Sequence, residues 1–253
     1  MAEVEFEVRD GIGIITINRP EARNAVNGAV AAQLADITES IDSRSDVRVA
    51  ILTGAGGNFC SGMDLKAFLN REDVKPRGRG FAGMIRARID KPVIAAIEGY
   101  ALAGGFEIAL ACDLIVAAAS ARFGLPEVKR GLVANAGGLV RLPSQIPYRI
   151  AVELALTGVM VDADRMAALG LVNRVVPQGE ALAEAMRLAA QISTNGPLAV
   201  ITSKRVMRDS RDWNDAEAFD RQDAYTAPVF ASEDAREGAR AFAERRPPQW
   251  TGR

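Results

Sequence analysis

The sequence predicts an α/β protein, with a core of about 145 residues followed by about 100 residues of helix. Short apolar runs typical of buried strands recur between residues 47 and 119, and two of them lead into a glycine-containing loop and a helix. Past residue 144, apolar side chains recur every three or four positions instead. The chain has 253 residues, of which 49% are hydrophobic and 25% charged, so it can bury such a core.

The first forty residues predict a hairpin and then a helix. Apolar and charged residues alternate over 4–8, Asp10-Gly11 supplies a turn, and isoleucines return over 12–17. From Asn27 to Ile41 the apolar side chains are three to four positions apart, which is typical of an amphipathic helix.

Three apolar runs predict the buried strands of the core. They cover residues 47–53, 92–97 and 113–119. A helix should open at Gly104-Gly105 and continue through Ala111. Residues 71–80 are rich in Gly, Pro and charge, which predicts a mobile loop.

The C-terminal part is predicted to be helical. Its helices are expected at 147–157, 162–169, 180–208 and 214–245. Asn195-Gly196-Pro197 should break or kink the third of them, because proline lacks the amide hydrogen that a helix interior needs.

Composition excludes several classes of function. There is no histidine, which rules out Ser-His-Asp triads, Cys-His pairs and histidine metal sites. Two cysteines 52 positions apart form no disulfide framework, which favours a reducing, cytoplasmic location. A net charge of −1 gives no reason to expect nucleic acid or a membrane as a partner. We find no signal peptide and no spanning segment, so a soluble protein is expected.

Two glycine-containing turns follow buried strands. One contains Cys60-Ser61-Gly62-Met63-Asp64, and the other runs from Gly99 to Glu107 at the start of a helix. Such turns could aim two backbone amides at one oxygen, as in an oxyanion hole, or they could simply be turns. Neither turn carries the Gly-Lys-Ser/Thr or GxGxxG pattern of a nucleotide-binding loop.

Two carboxylates lie in apolar surroundings. Glu107 follows Gly104-Gly105-Phe106, and Glu127 lies in Phe123-Gly124-Leu125-Pro126-Glu127-Val128. Each is either paired in the core or has a raised pKa and transfers protons. Asp64 is expected to cap the helix that follows it, and Asp113 to form a cap or salt bridge. Cys60 and Ser61 have no neighbouring base that would make them nucleophiles.

Several motifs, taken in order, resemble the crotonase (enoyl-CoA hydratase/isomerase) superfamily over essentially the whole chain. The segments that carry the resemblance are 17–20 with 23–25, 59–65, 92–107, 123–127, Gly137-Gly138 with Arg141-Leu142-Pro143, and the tail from 242–246 to 250–253. The region of Gly104 and the tail also look like carnitinyl-CoA dehydratase.

The resemblance implies a crotonase-like (ClpP/crotonase) spiral of ββα units with a C-terminal helical segment. Residues 1–195 would form the core that holds the CoA site, and 196–253 a region for capping and trimerisation. The family assembles as trimers or as dimers of trimers, so a homotrimer or hexamer is expected.

The resemblance also assigns the site. The backbone amides of Met63 and Gly104 would form the oxyanion hole, while Glu107 and Glu127 would be the acid/base pair around one water. Asn135 would face the acyl group, and residues 71–88 would form the variable wall. The residues expected to contact substrate and coenzyme A are Arg23, Ala25, Ser61, Met63, Asp64, Leu65, Lys66 and Gly104.

The expected function is enoyl-CoA hydration, the reversible syn addition of water to a trans-2-enoyl-CoA. No metal or redox cofactor is expected, because coenzyme A is part of the substrate. The alternatives are a carnitinyl-CoA-type dehydratase, an enoyl-CoA isomerase of the same family, and a paralogue that binds acyl-CoA without catalysis. The pair of glutamates favours hydration, since isomerases of the family commonly lack or move one of them.

Overall fold

A computed structural model describes residues 2–253, which form nine β-strands and ten α-helices. The strands are Val4–Arg9 (β1), Ile12–Ile17 (β2), Val49–Gly54 (β3), Val93–Ile97 (β4), Tyr100–Leu102 (β5), Leu114–Ala118 (β6), Arg122–Gly124 (β7), Val161–Asp162 (β8) and Arg174–Val176 (β9). The helices are Gly28–Ser40 (α1), Leu65–Leu69 (α2), Gly104–Ala111 (α3), Gly138–Gln145 (α4), Tyr148–Thr157 (α5), Ala163–Ala168 (α6), Ala181–Ser193 (α7), Pro197–Asp209 (α8), Ala218–Phe230 (α9) and Glu233–Glu244 (α10).

The main sheet has six strands in the order β1-β2-β3-β4-β6-β9. Only the β1–β2 pair is antiparallel, and it is closed by the predicted turn, where Asp10 and Gly11 both have positive φ. The other pairs are parallel, as expected for strands connected through helices. The predicted hairpin and the three predicted apolar strands are therefore confirmed.

Helices cover both faces of this sheet. One face, with Ile15, Leu52 and Ile97, packs in the larger core that includes α1 and α3. The other face, with Ile14 and Ile51, packs against α7. Burial on both sides explains why β3 is an unbroken apolar run rather than an alternating one.

A small second sheet contains β5, β7 and β8. β4 and β6 belong to the main sheet, and the strand that follows each of them, β5 or β7, belongs to the small one. A helix then follows, α3 after β5 and α4 after β7. This repetition is the ββα arrangement that the resemblance implied, and it places the N-termini of α3 and α4 beside the small sheet.

The C-terminal half differs from its prediction in two strands. β8 and β9 lie in the part predicted to be only helical, and β9 extends the main sheet beyond residue 145. Strands of two or three residues are too short to show a period of two. The predicted break at Asn195-Gly196-Pro197 is confirmed, because α7 ends at Ser193 and α8 begins at Pro197.

Two other helical predictions need correction. The stretch 214–245 is two helices, because Ser232 ends α9 and caps α10 by accepting from the amide of Ala235 at 3.0 Å. α4 was not predicted, because Pro143 within it normally marks the end of a helix. The division of the chain at residue 195 stays a prediction.

The segment between α2 and β4 has no strand or α-helix among its residues, but it packs firmly. It forms 3-10 turns at Pro76–Gly78 and Phe81–Gly83, and the side chains of Phe81 and Ile85 are buried. A Cβ on Gly83 would lie 2.6 Å from the carbonyl oxygen of Ala31, so α1 touches this segment directly. None of the helices in residues 2–253 is both long and apolar enough to cross a bilayer.

Asn24 fixes the loops beside β3. Its Oδ1 accepts from the amide of Arg19 at 2.9 Å, and its Nδ2 donates to the carbonyls of Ala55 and Asn58 at 2.9 and 2.6 Å. The residue is fully buried and has a φ of 57°, a conformation that asparagine tolerates better than most residues.

Replacing Asn24 by alanine should therefore lower the free energy of unfolding by roughly 3 kcal/mol, because buried backbone groups lose their partners. Urea denaturation of N24A checks this. The exposed Asn70, which makes no side-chain hydrogen bond within the described part of the chain, provides the control N70A. If N24A lost no more free energy of unfolding than N70A, the structural role assigned to Asn24 would be contradicted.

Candidate active site

Every site residue predicted from the sequence lines one cavity of about 1050 Å³. The loops around residues 19–25, 61–75 and 102–107 and the segment 126–136 form its walls. Met63, the pair Gly104 and Glu107 on α3, and Glu127 are therefore brought together from three separate parts of the sequence.

The two glycine-containing turns are bonded to each other. The amide of Cys60 donates to the carbonyl of Tyr100 at 2.8 Å, and the amide of Leu102 donates to the carbonyl of Cys60 at 3.0 Å. Gly62 has a φ of 102°, and a Cβ there would lie 2.9 Å from the Cβ of Ala103. Glycine at position 62 is thus required both by its conformation and by this close contact.

The Met63 amide is free to bind a ligand. A parallel bridge joins Met63 to Val26, in which Val26 N–H donates to Gly62 and Asp64 N–H donates to Val26, at 2.8 and 2.9 Å. In such a bridge the N–H of the middle residue, Met63, points away from Val26. This N–H donates to no other group in the described chain.

The Gly104 amide is the first of helix α3, so it has no acceptor within the helix. Ala103 precedes it with φ 51° and ψ −127°, a strained conformation for alanine that sets the direction of the next amide. A Cβ on Gly62 would lie 3.2 Å from Gly104 N, which places this amide next to the Gly62-Met63 peptide. Two free amides beside one helix N-terminus can bind one anionic oxygen.

Gly104 must lack a side chain for a further reason. A Cβ at this position would lie 2.4 Å from the ring of Phe81. The aromatic ring therefore covers the first turn of α3, and the segment 71–88 forms a wall of the cavity through Phe81, as the resemblance implied.

Glu107 is a buried carboxyl group in the first turn of α3, and its exposed fraction is 2%. Burial, with a smaller contribution from the charge of Glu127, raises its pKa to about 7. The amide of Gly138 opposes these effects by donating to Glu107 Oε1 at 2.8 Å. A carboxyl group with this pKa exchanges protons near neutral pH.

Glu127 lies on the 3-10 helix Pro126–Arg130. Burial raises its pKa as well, and its Oε2 is buried with no hydrogen-bond partner in residues 2–253. Neither Glu127 nor Glu107 forms an ion pair in that part of the chain. The alternative that these carboxylates are paired in the core is therefore wrong.

Asp64 has a structural role in the wall. Its carboxylate caps α2 by accepting from the amide of Lys66 at 2.9 Å, and it pairs with Arg19 at 3.1 Å. Burial would raise its pKa, but these two partners hold it below the usual value. The predicted cap is confirmed, while its contact with substrate stays a prediction. Arg19, one of the cations near these loops that could meet a phosphate-bearing ligand, also donates to the carbonyl of Ala25.

Asp113 is likewise structural. Its Oδ2 accepts from the amide of Val93 at 2.7 Å and pairs with Lys204 Nζ at 2.6 Å. The expected cap or salt bridge is therefore confirmed, and the pair connects helix α8 to the main sheet.

The cavity is bordered by basic side chains. The guanidinium of Arg23 lies 5.4 Å from the centre of the Tyr100 ring, and Lys66 is exposed. Arg71, Lys75 and Arg130 also line the cavity, and no sequence pattern distinguishes them from ordinary surface cations. These cations can pair with phosphate groups of a ligand, and the acidic side chains of Glu21, Glu72 and Asp73 line the same cavity.

Cys60, Ser61 and Asn135 are the remaining polar residues singled out in the sequence. Cys60 is buried, and burial raises the pKa of its thiol to about 12, so the thiolate is not formed near neutral pH. Ser61 donates only a long hydrogen bond, 3.4 Å, to the carbonyl of Ala22. Asn135 is exposed to the cavity and its side-chain amide has no partner in residues 2–253.

The chain is similar to known proteins of one family. A family model described as "Enoyl-CoA hydratase/isomerase" matches residues 7–253. The chain belongs to the enoyl-CoA hydratase/isomerase family. It is 43% identical to enoyl-CoA hydratase EchA19 of Mycobacterium tuberculosis over 95% of this chain and 93% of that protein. It is 42% identical to carnitinyl-CoA dehydratase of Escherichia coli K12 over 94% of each chain.

A solved structure confirms the fold. The crystal structure of enoyl-CoA hydratase EchA1 from Mycobacterium marinum is 56% identical, covers 100% of both chains and superposes with a TM-score of 0.98. The crotonase-like architecture expected from the motifs is therefore confirmed. The similarity to carnitinyl-CoA dehydratase is confirmed as well.

The buried Glu107 makes stability depend on pH. Its folded pKa, about 7, lies above the ordinary value of 4.5, so the folded state holds more protons than the unfolded state between these two values. Stability therefore decreases as the pH rises through this window, and the loss is complete above pH 7.

Replacing Glu107 by glutamine should abolish this loss, because the amide is neutral and its Oε1 can still accept from Gly138. E107Q should exceed the wild type by up to about 3 kcal/mol in unfolding free energy at pH 8, and match it at pH 4. Chemical denaturation at both pH values measures the difference, with the exposed Glu153 replaced in the control E153Q. If E107Q were less stable than the wild type at pH 8, the proposed free-energy cost of burying ionised Glu107 would be disproved.

Proposed function

We propose that this protein is an enoyl-CoA hydratase that adds water reversibly and with syn geometry to a trans-2-enoyl-CoA, giving a 3-hydroxyacyl-CoA. The observation that carries the proposal is a buried and a half-buried carboxyl group, neither in an ion pair, in the same cavity as two free amides. A protein that only bound acyl-CoA would gain nothing from two carboxyl groups whose burial destabilises their charged forms.

The free amides explain how the thioester is activated. The N–H groups of Met63 and Gly104 would hold the thioester carbonyl oxygen. As water adds to the β-carbon, the electron pair of the double bond moves onto that oxygen to form an enolate. Each fixed amide is worth roughly 3 kcal/mol of barrier in comparable sites, because it already points at the developing charge.

The two glutamates divide the proton transfers. Ionised Glu107, held by the Gly138 amide, would orient the water and accept its proton as the C–O bond forms. Protonated Glu127 would then donate a proton to the α-carbon, which collapses the enolate. Burial raises the pKa of both carboxyl groups, and at Glu107 the Gly138 amide partly opposes that rise. The pair titrates as a unit.

The remaining predicted residues would bind the rest of the substrate. The Arg23 and Lys66 cations would meet phosphate groups of coenzyme A along the loops 23–25 and 61–66. No metal or redox cofactor enters this reaction, because the thioester supplies the acidity and the amides supply charge stabilisation.

A carnitinyl-CoA-type dehydratase is the second candidate, and Asn135 favours it. An unpartnered amide facing the cavity can hydrogen-bond a polar acyl group, and a relative at 42% identity is named for such a substrate. The same amides and glutamates would serve dehydration, which is the reverse reaction.

Assembly as a homotrimer or a dimer of trimers in the cytoplasm is part of the proposal. Large apolar side chains on four helices are exposed in the single chain, as expected for a subunit interface. They include Val140, Tyr148, Leu156, Phe219, Phe230 and Phe242. Sedimentation equilibrium should give three or six times the mass of one chain, and a monomer would contradict this assembly.

Crotonyl-CoA should lose its conjugated ultraviolet absorbance when the protein is added. Replacing Glu127 by glutamine should lower kcat by about 1000-fold, because the α-carbon loses its proton donor, while the Kd for the unreactive butyryl-CoA changes less than threefold. E153Q is the control for both measurements. A loss of kcat under tenfold in E127Q would disprove the role of Glu127 as the proton donor. If the protein bound butyryl-CoA but turned over no enoyl-CoA, the non-catalytic alternative would be favoured.

Asn135 should make the site prefer polar acyl groups over plain ones. N135A should lower kcat/KM for a carnitine-type thioester by about tenfold, since a hydrogen bond to the acyl group is lost, and leave crotonyl-CoA within twofold. Equal effects on both thioesters would contradict a role in selectivity.

A further inference from the structure

Arg141 is a half-buried cation to which the mechanism above gives no role. It lies on α4, three residues after Gly138, whose amide binds Glu107. No carboxylate lies within ion-pair distance of it in residues 2–253, and its one side-chain hydrogen bond goes from Nη2 to the carbonyl oxygen of Ile85 at 2.5 Å. A buried guanidinium without a bonded carboxylate is costly, so its retention needs a reason.

The guanidinium lies beneath the turn that leads into α4. Gly137 has a φ of 103°, and a Cβ there would fall 2.2 Å from Arg141 Nη1. The amide of Arg141 donates to the carbonyl of Gly137 at 2.8 Å. The Arg141 side chain thus folds back on the residue next to Gly138, and the positive φ of Gly137 is a conformation that glycine adopts without strain.

The charges of Arg141 and Glu107 shift each other's pKa. Burial lowers the pKa of Arg141, and the charge of Glu107 opposes that effect. In return, the charge of Arg141 lowers the pKa of Glu107, whereas Glu127 raises it. The other group facing Arg141 is Cys112, whose thiol is neutral because burial raises its pKa to about 12. Arg141 is therefore the cation of this cluster.

The bond to Ile85 connects two walls of the site. Ile85 ends the buried segment that begins at Phe81, and the Phe81 ring covers Gly104 at the oxyanion hole. Arg141 thus reaches from the turn that holds Glu107 to the segment that covers the Gly104 amide.

We propose that Arg141 is a positioning residue of the hydratase site. Arg141 stabilises the ionised form of Glu107, and it connects the Phe81–Ile85 wall to the turn whose amide binds Glu107. The inference rests on the proposed function, because it assigns Arg141 a part in readying the base. Arg141 touches neither water nor thioester in this proposal. It acts through Glu107 and through the carbonyl of Ile85.

Replacing Arg141 by glutamine tests the charge. Activity requires ionised Glu107, so kcat/KM falls at acidic pH, and losing the cation should move this acid limb upward by about one unit. R141Q should then be about tenfold slower than the wild type at pH 6 and within threefold of it at pH 9. The exposed Arg149, which forms no ion pair among residues 2–253, provides the control R149Q, whose profile should match the wild type.

Replacing Arg141 by lysine separates the charge from the bond to Ile85. R141K keeps a cation, so its acid limb should stay within about 0.3 units of the wild type. The single ammonium cannot reproduce the bond from the planar guanidinium to the carbonyl of Ile85, so KM should rise about threefold or more. This variant keeps the proposal testable if R141Q does not fold, since an acid limb that moves by a full unit in R141K would overturn it.

Carbon-13 NMR of labelled glutamate side chains measures the titration without turnover. The Glu107 signal, assigned by its loss in E107Q, should titrate about one unit higher in R141Q than in the wild type and R149Q. An unchanged midpoint, or a uniform loss of activity across pH, would reduce Arg141 to a structural role. The titration midpoint is measured without substrate, so it tests the role of Arg141 separately from hydration. Either result can be negative while the other is positive.

Discussion

The backbone hydrogen bonds between Cys60 and the chain at Tyr100 and Leu102 hold the whole site together. They fasten two turns that lie about forty residues apart in sequence, and they bring Gly62 against Ala103. With that contact made, the amides on either side of it have nowhere to donate except into the cavity. The glycines there allow the backbones to approach, and a single added methyl group would separate them.

The close packing around the cavity also enables the two glutamates to exchange protons near neutral pH. The cavity places Glu107 and Glu127 where water is largely excluded, and both pKa values rise because the charged forms lose solvation. A bonded cation at either carboxyl group would restore the ordinary value and remove its ability to exchange protons near neutral pH. The structure instead gives Glu107 one amide and a guanidinium that lies near it without an ion pair, which lowers the cost of ionisation without abolishing it.

Much of the architecture follows from local patterns. Residues 49–52 are all apolar because helices cover both faces of the sheet, and that run was visible in the sequence. The cap at Asp64 and the break before Pro197 were also predictable, since each depends on neighbouring residues alone. The short strands Val161–Asp162 and Arg174–Val176 were missed, because their pairing partners lie far away along the chain and their length shows no period.

The sequence by itself determined which residue types were available: two glutamates in apolar segments, two glycine turns, and no histidine. The motifs even assigned these residues to one site. Only the tertiary structure decided that the glutamates are unpaired, that Asp64 is bonded to Arg19, and that Arg141 approaches Glu107. The reason is that ionisation, pairing and burial depend on distances between parts of the chain that folding alone brings together, and no pattern of neighbouring residues records those distances.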